Sequence, residues 1–179
     1  LFRSEEGVAG TTRMMTLVES CEENNFLICL ISGGGTALMP LPVKGVTIED
    51  VALTRELLHQ RGAPIAEVIA VNKHLSQFGG GGIARSFKGK HLISLILSDV
   101  VGDPIEVISS GPTATDSTTF ADAVSVLKKY KLLEEVPVSV RQYLEEGEKG
   151  GYPETLKELP GNVTNVVIGN NDEIGRAHV

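Results

Sequence analysis

Residues 26–36 read Phe-Leu-Ile-Cys-Leu-Ile-Ser-Gly-Gly-Gly-Thr, an apolar run that ends in three glycines between two hydroxyl residues. A run without polar alternation, rich in branched side chains and bounded by turn residues, is typical of a strand buried on both faces of a parallel sheet. Residues 91–97 and 163–168 form two further runs of this kind, and both end in small polar residues. The sequence therefore predicts three buried strands, each followed by a polar loop.

Helical patterns separate the three runs. Thr47-Ile48-Glu49-Asp50 resembles a capping box, and it predicts the start of a helix that Gly62 ends. A second capped helix is predicted from Thr118 or Thr119, and a third follows Pro137. Strands that alternate with helices predict an α/β fold with a doubly wound, mostly parallel sheet, a Rossmann-like α/β/α sandwich. Ligands of such sheets bind beyond the carboxyl ends of the strands.

The composition excludes several classes of protein. The chain has 179 residues with 16 Lys and Arg against 23 Asp and Glu, a net charge of −7, and 41% hydrophobic residues. This fits one globular domain, and the acidic balance with 4% aromatic residues disfavours a nucleic-acid partner. There is no apolar run of about 18 residues, so no membrane span is predicted. We expect Cys21 and Cys29 to be reduced core residues of a cytoplasmic protein.

The two ends of the chain resemble translated sequencing adapters. Leu1-Phe2-Arg3-Ser4 is what CTC TTC CGA TCT would encode, and residues 174–179 match the opposite adapter, ATC GGA AGA GCA CAC GTC. We therefore expect the native segment to be residues 5–173, an internal piece of a longer reading frame. An ordinary pair of tails is the alternative.

Two loops have the composition of anion-binding turns. Ser32-Gly33-Gly34-Gly35-Thr36 directly follows a predicted strand, so its glycines let backbone N–H groups approach a phosphate or carboxylate closely. Ser110-Gly111-Pro112-Thr113 is interpreted as a second such turn, with a rigid bend as the alternative. Gly79-Gly80-Gly81-Gly82 follows a helix rather than a strand, which argues against a dinucleotide motif and favours a helix stop. There is no G-x-x-x-x-G-K-[ST] motif and no G-x-S-x-G motif.

Charged residues accompany these loops. Asp99 and Asp103 lie in the loop after the second strand, where oxygen ligands for Mg²⁺ or a base for a hydroxyl group are expected. Turn-forming roles are the alternative for either carboxylate. Lys73, near the end of a helix, could reach a phosphate as a point charge. For the neighbouring His74 a packing role is favoured over catalysis.

Taken in order, these motifs resemble those of the class II glycerate kinases, the MOFRL-type enzymes that phosphorylate D-glycerate with ATP. The resemblance extends from Glu5 to Asn171. The segments that carry it are Leu30–Leu38, Lys73–Ser76, Ser94–Asp103 and Ile108–Thr113. Three residues depart from the usual pattern: Ile69, Asn72 and Gly79. Asn72 and Gly79 stand where the family usually has Arg and Lys, which would weaken anion binding.

The resemblance implies an incomplete amino-terminal domain that faces a MOFRL domain of the same chain across the active-site cleft. It implies that Lys73 and Asp99 are catalytic, that Asp99 and Asp103 position Mg²⁺ or the attacking hydroxyl group, and that ATP and D-glycerate bind between the loops. The residues expected to contact substrate or phosphate are Ser32, Gly33, Gly34, Gly35, Thr36, Ser110, Gly111, Pro112, Thr113 and Asn170.

The leading hypothesis is therefore ATP-dependent formation of phosphoglycerate, with 2-phosphoglycerate favoured and the isolated fragment inactive. A non-catalytic anion-binding module and a kinase of another small hydroxy acid are the alternatives, and a homodimer is left open. An unfilled sheet edge and exposed apolar patches are expected where the remaining parts would pack.

Overall fold

A computed structural model describes residues 5–170 of the chain; the adapter-like segments at 1–4 and 174–179 lie outside the described residues. Three parallel strands form one sheet in the order β1-β2-β3. They are β1 (Phe26–Ile31), β2 (His91–Leu97) and β3 (Val163–Gly169). The three predicted strands and the α/β class are thus confirmed.

Seven α-helices lie within residues 5–170. They are α1 (Glu5–Glu19), α2 (Gly35–Leu38), α3 (Ile48–Gln60), α4 (Ile65–His74), α5 (Gly82–Ser86), α6 (Phe120–Lys129) and α7 (Val138–Glu148). The predicted capping box of Thr47 and Asp50 opens α3, and a second box of Thr119 and Asp122 opens α6. None of these helices is long and apolar enough to cross a bilayer.

The described helices cover one face of the sheet. Leu27, Leu92 and Val163 on that face pack against helical residues. On the opposite face Leu30 is 80% exposed and Ile28 is 63% exposed. The strands are therefore covered on one side within residues 5–170, which differs from the expected burial on both faces. The expected exposed apolar patch is present, and it is this sheet face.

The buried apolar residues form two separate kinds of core. One core joins the inner face of the sheet to α1, α5 and the following loops. The other, which we call the helical core, is built from α3, α4, α6, α7 and adjoining loops, and it contains no strand residue.

The two cysteines are free, as expected, and both are half-buried. Burial, together with the nearby Cys21, raises the pKa of the Cys29 thiol to about 11. Cys29 is therefore protonated at neutral pH and is a poor nucleophile.

Candidate active site

The carboxyl ends of the three strands bring the predicted polar residues together at one edge of the sheet. The Ser98 N–H donates to the Gly169 carbonyl oxygen at 2.9 Å, which ties the loop after β2 to the end of β3. The Asn170 amide donates to the Asp103 carboxylate at 2.7 Å. Asp103 and Asn170, which are 67 residues apart in sequence, are thus neighbours at the predicted position.

Asp99 lies directly against the first glycine loop. A Cβ atom on Gly33 would be 1.8 Å from Oδ2 of Asp99, so no larger residue fits at position 33 without displacing the carboxylate. Gly34 has a φ of +81° and open space around it, so conformation rather than contact favours glycine there. A Cβ atom on Gly35 would be 2.5 Å from Oγ of Ser109. The loop is therefore fitted closely to the loop that follows β2.

Hydrogen bonds connect the two loops that are predicted to bind anions. The Thr36 and Ser110 hydroxyl groups are 2.9 Å apart, and the Ser109 hydroxyl donates to the Ser32 carbonyl oxygen at 2.5 Å. Ser109, Ser110 and Gly111 have φ values of 51°, 62° and 57°. Two consecutive non-glycine residues in the left-handed region store backbone strain, which tends to occur at functional sites.

Thr113, at the end of the second loop, is buried beneath it. Its hydroxyl accepts a hydrogen bond from Ser94 at 2.9 Å and donates to the Asn165 side chain at 2.8 Å. The Asn165 amide also donates to the Thr113 carbonyl oxygen at 2.9 Å. With 1% of its surface exposed, Thr113 fastens the loop to the inner face of the sheet, while Ser110 faces the first loop.

The glycine run at 79–82 does not stop α4, because that helix ends earlier, at His74. Instead, the N–H groups of Gly80 and Gly81 donate to the carbonyl oxygens of Ser110 and Gly111, each at 2.8 Å. Gly80 and Gly81 have positive φ, and a Cβ on Gly81 would be 2.3 Å from Leu156. The run supports the loop at residues 110–113 through backbone hydrogen bonds, and the helix-stop interpretation was wrong.

Lys73 is held in a buried ion pair. Its Nζ lies 3.1 Å from Oδ1 of Asp116 and 3.9 Å from Glu106. The exposed fractions of the Lys73 and Asp116 side chains are 3% and 0%. Lys73 therefore does not present a free ammonium group at the strand ends, unlike the point charge expected from the sequence.

Asp116 is the centre of a polar network. Thr155 donates to Oδ2 at 2.9 Å, and the Thr118 N–H donates to Oδ1 at 3.0 Å. Burial alone would raise the pKa of Asp116, but the Thr118 N–H, the charge of Lys73 and the Thr118 hydroxyl together lower it below its ordinary value of 3.8. Asp116 is thus a carboxylate at neutral pH.

Within residues 5–170 no group of three or more His, Cys, Asp and Glu side chains is arranged to hold a metal ion. Asp99 is exposed and Asp103 is half-buried, so both carboxylates are accessible from the strand-end surface. Mg²⁺ is usually bound by one or two carboxylates together with phosphate oxygens, and these two residues fit that pattern.

A family model described as a domain of unknown function, DUF4147, matches residues 2–145. The chain belongs to the DUF4147 family. This domain is the amino-terminal domain of glycerate 2-kinases, so the predicted resemblance to the class II glycerate kinases is confirmed.

Curated relatives of this DUF4147 domain are named as glycerate kinases or glycerate 2-kinases. A glycerate 2-kinase of Pyrococcus horikoshii is 45% identical over 167 residues, which is 93% of this chain and 38% of the relative. A D-glycerate 2-kinase of Thermotoga maritima is 38% identical, covering 92% of this chain and 36% of the relative. A human glycerate kinase is 43% identical over 87% of this chain and 29% of the relative. The chain thus spans less than two-fifths of the length of these relatives.

Two crystal structures share the fold. The PH0495 protein of Pyrococcus horikoshii superposes with a TM-score of 0.93 at 44% identity, covering 98% of this chain and 40% of that one. A glycerate kinase of Thermotoga maritima gives a TM-score of 0.84 at 39% identity, covering 96% and 39%.

Sequence reasoning missed two carboxylates, Asp116 and Glu154. Asp116 pairs with Lys73 from 43 residues away, and Glu154 lies 3.2 Å from Nε2 of His74 from 80 residues away. His74 is fully buried and packs edge-on against Phe120, which agrees with its favoured packing role. The only local signal for Asp116 was its place before Ser117-Thr118, where Asp commonly bonds the backbone two residues on.

Proposed function

We propose that this domain supplies one wall of the active site of an ATP-dependent D-glycerate kinase. The 2-hydroxyl group of D-glycerate attacks the terminal phosphoryl group of ATP, the bond to the β-phosphate breaks, and 2-phosphoglycerate, ADP and a proton are released. The hydrogen bond between Thr36 and Ser110 carries the proposal, because it joins two anion-binding loops beside the Asp99 carboxylate. The names of the curated relatives support the same substrate class.

The loops are assigned to the anionic groups of the reactants. The N–H groups of Gly33, Gly34 and Gly35 and the hydroxyl groups of Ser32 and Thr36 would bind a carboxylate or a phosphate. Phosphoryl transfer depends mostly on positioning and on charge stabilisation, which N–H and hydroxyl donors at a preformed loop supply.

The second loop is assigned to the same anions. Ser110 and the backbone around Gly111 and Pro112 would contact them directly, while the buried Thr113 would act by fixing this loop to the sheet. Asn170 would act through Asp103, which its amide group already binds.

Lys73 is proposed to add positive charge at the phosphoryl end of the site. Because its ammonium group is paired with Asp116, this role requires the pair to loosen when an anion binds. Asp99 is proposed to orient the attacking hydroxyl group, since its exposed carboxylate lies against the first loop.

Asp99 and Asp103 are the residues proposed to hold Mg²⁺. When bound, Mg²⁺ would neutralise negative charge on the phosphates. The rest of the cleft, including the MOFRL domain, would come from a longer protein, so residues 5–173 by themselves are expected to be inactive.

The test uses a longer protein that contains this domain together with the remaining length of its relatives. Asp99→Asn should lower kcat for ATP-dependent phosphorylation of D-glycerate by roughly a hundredfold, in the range found for removing one catalytic proton-transfer or charge-stabilising group. Glu23→Gln removes one exposed carboxylate far from the strand ends and serves as the control. Phosphorus NMR of the product identifies the hydroxyl group that reacts. Unchanged kcat in Asp99→Asn, or transfer only to another hydroxy acid, would contradict the proposal.

A further inference from the structure

Away from the strand ends, two adjacent cavities of about 610 and 670 Å³ form a continuous groove. Both are lined by Lys44, Gly45, Tyr143 and Tyr152. We call the surface lined by these residues, with Arg85 and Phe120, the tyrosine groove. The volume of each cavity lies in the range of small-molecule sites, and among the predicted site residues only Lys73 lines the groove.

The first cavity of the tyrosine groove is positively charged. Lys44, Lys73 and Arg85 line it together with the imidazole ring of His74, and no Asp or Glu is among the described residues of its lining. The second cavity is lined by Glu145, Glu146 and Lys149. The charge of Lys73 is paired with that of Asp116. Two cations therefore remain for a ligand, Lys44 and Arg85.

Lys44 and Arg85 are both exposed, and within residues 5–170 neither has a carboxylate oxygen within salt-bridge distance. Arg85 donates one hydrogen bond to the Glu154 carbonyl oxygen at 3.2 Å, which anchors its guanidinium group at the groove. Since a guanidinium group has five N–H donors, most of them stay available for an anion such as phosphate.

An aromatic wall faces the same space. The rings of Tyr143 and Tyr152 are stacked with centroids 4.4 Å apart and an interplanar angle of 18°, and Phe120 lies 5.9 Å from Tyr143. Burial and then Tyr152 raise the pKa of Tyr143, while the positive charge of Arg85 opposes that rise, as expected if the guanidinium group lies near the phenol. Tyr152 is 39% exposed, so part of its ring is available to a planar ligand.

We propose that the tyrosine groove is a binding site for a nucleoside phosphate, with the phosphates on Lys44 and Arg85 and the base against Tyr152. Lys44 and Arg85, which form no salt bridge within residues 5–170, bind the phosphates, and the stacked aromatic surface binds the ring. The groove shares Lys73 with the predicted site residues but none of the strand-end loops, and the proposal does not depend on the kinase assignment, because binding is measured on the chain itself.

The test is calorimetric titration of the 179-residue chain with ADP in the absence of divalent cations. Lys44→Gln and Arg85→Gln should each weaken ADP binding by about tenfold, since each removes one charge-assisted contact. Lys88→Gln removes one exposed lysine charge outside the groove and should leave the affinity unchanged. Thermal unfolding midpoints of all three variants check that the fold is intact.

Two simpler ligands, adenosine and pyrophosphate, test the base contact and the phosphate contacts separately. Tyr152→Ser should weaken binding of ADP and adenosine but leave pyrophosphate binding unchanged. Equal affinity for ADP and pyrophosphate, with no effect of Tyr152→Ser, would overturn the nucleoside assignment. The absence of saturable ADP binding, or ADP binding that survives in the double variant Lys44→Gln/Arg85→Gln, would overturn the site.

Discussion

The carboxylate of Asp99 lies where a methyl group at position 33 would have to go. Gly33→Ala should therefore move Asp99 and lower the free energy of unfolding by at most about 1 kcal/mol, because the displaced carboxylate is the end of an exposed side chain. The measurement is urea denaturation, with the carboxyl carbon shift of Asp99 followed by NMR.

Gly10→Ala is the matched control for this substitution. Gly10 lies within α1, where a Cβ meets nothing within 4 Å, so alanine should stabilise the helix by about 0.5–1 kcal/mol. If Gly33→Ala and Gly10→Ala changed the free energy of unfolding in the same direction, the contact between position 33 and Asp99 would be contradicted.

Protonation of Asp116 at low pH should lower the free energy of unfolding. Its pKa is lowered in the folded protein, so its contribution is complete above the ordinary value of 3.8 and is lost as the pH falls from there through the folded pKa. Asp116→Asn should cost about 3–5 kcal/mol at pH 7, because it leaves the buried Lys73 charge without a partner. Unfolding free energies measured from pH 7 down to pH 2 should converge for the wild type and the variant.

A double-mutant cycle isolates the pair. Lys73→Met/Asp116→Asn should be less destabilised than the sum of the two single variants, because removing both charges leaves neither unpaired. Additive single effects would mean that the two side chains do not interact.

Among the elements, α3 and α6 end in the same way. After α3, the N–H groups of Gly62 and Ala63 donate to the carbonyl oxygens of His59 and Leu58. After α6, the N–H groups of Lys131 and Leu132 donate to the carbonyl oxygens of Lys128 and Leu127. Both are Schellman motifs, and their left-handed residues are Gly62 with a φ of 74° and Lys131 with a φ of 56°.

Lys131→Gly should stabilise the domain by about 1 kcal/mol, because it removes the left-handed strain of a residue with a side chain. The reverse substitution, Gly62→Lys, should destabilise it by a similar amount. Thermal unfolding of both variants gives the comparison, and a loss of stability in Lys131→Gly would rule out strain at that helix end.

The predictable elements are those whose signals are local. Thr47 with Asp50, and Thr119 with Asp122, bond within four residues, so their sequence spacing was sufficient to place two helix starts. The run at 79–82 was misread because its partners, the carbonyl groups of Ser110 and Gly111, lie about 30 positions away and leave no local pattern.

At the scale of the whole molecule, the uncovered sheet face is an exposed apolar surface. It exposes Phe26, Ile28, Leu30, Val166 and Ile168, a contiguous apolar area of the kind that promotes association. Ile28→Thr/Leu30→Thr keeps β-branched or β-compatible residues on β1 and should reduce light scattering of concentrated samples.

Leu17→Gln provides the comparison for this variant. Leu17 is 63% exposed, as Ile28 is, but it lies on α1 rather than on the sheet. Equal reductions in scattering from the two changes would show that general hydrophobicity, and not the sheet face, drives association.

The topology of the whole molecule explains which residues of the candidate site the sequence predicted and which it did not. The polar residues at the strand ends were found because parallel strands place their carboxyl ends at one edge, which is a property of the topology. The partners of Lys73 and the tyrosine groove were not found, because each depends on how the helical core docks on the sheet core. Such long-range packing has no periodic signature in the chain.

The helical core has one further consequence, for the way the domain opens. Its residues come from two stretches, 43–75 and 120–144, and none of them belongs to a strand. Regions with separate buried contacts can unfold as separate cooperative units. Backbone amides of α4 and α6 can then exchange with deuterium during an opening that leaves the β1–β2 and β2–β3 hydrogen bonds closed, so the exchange rates would divide the domain into two units.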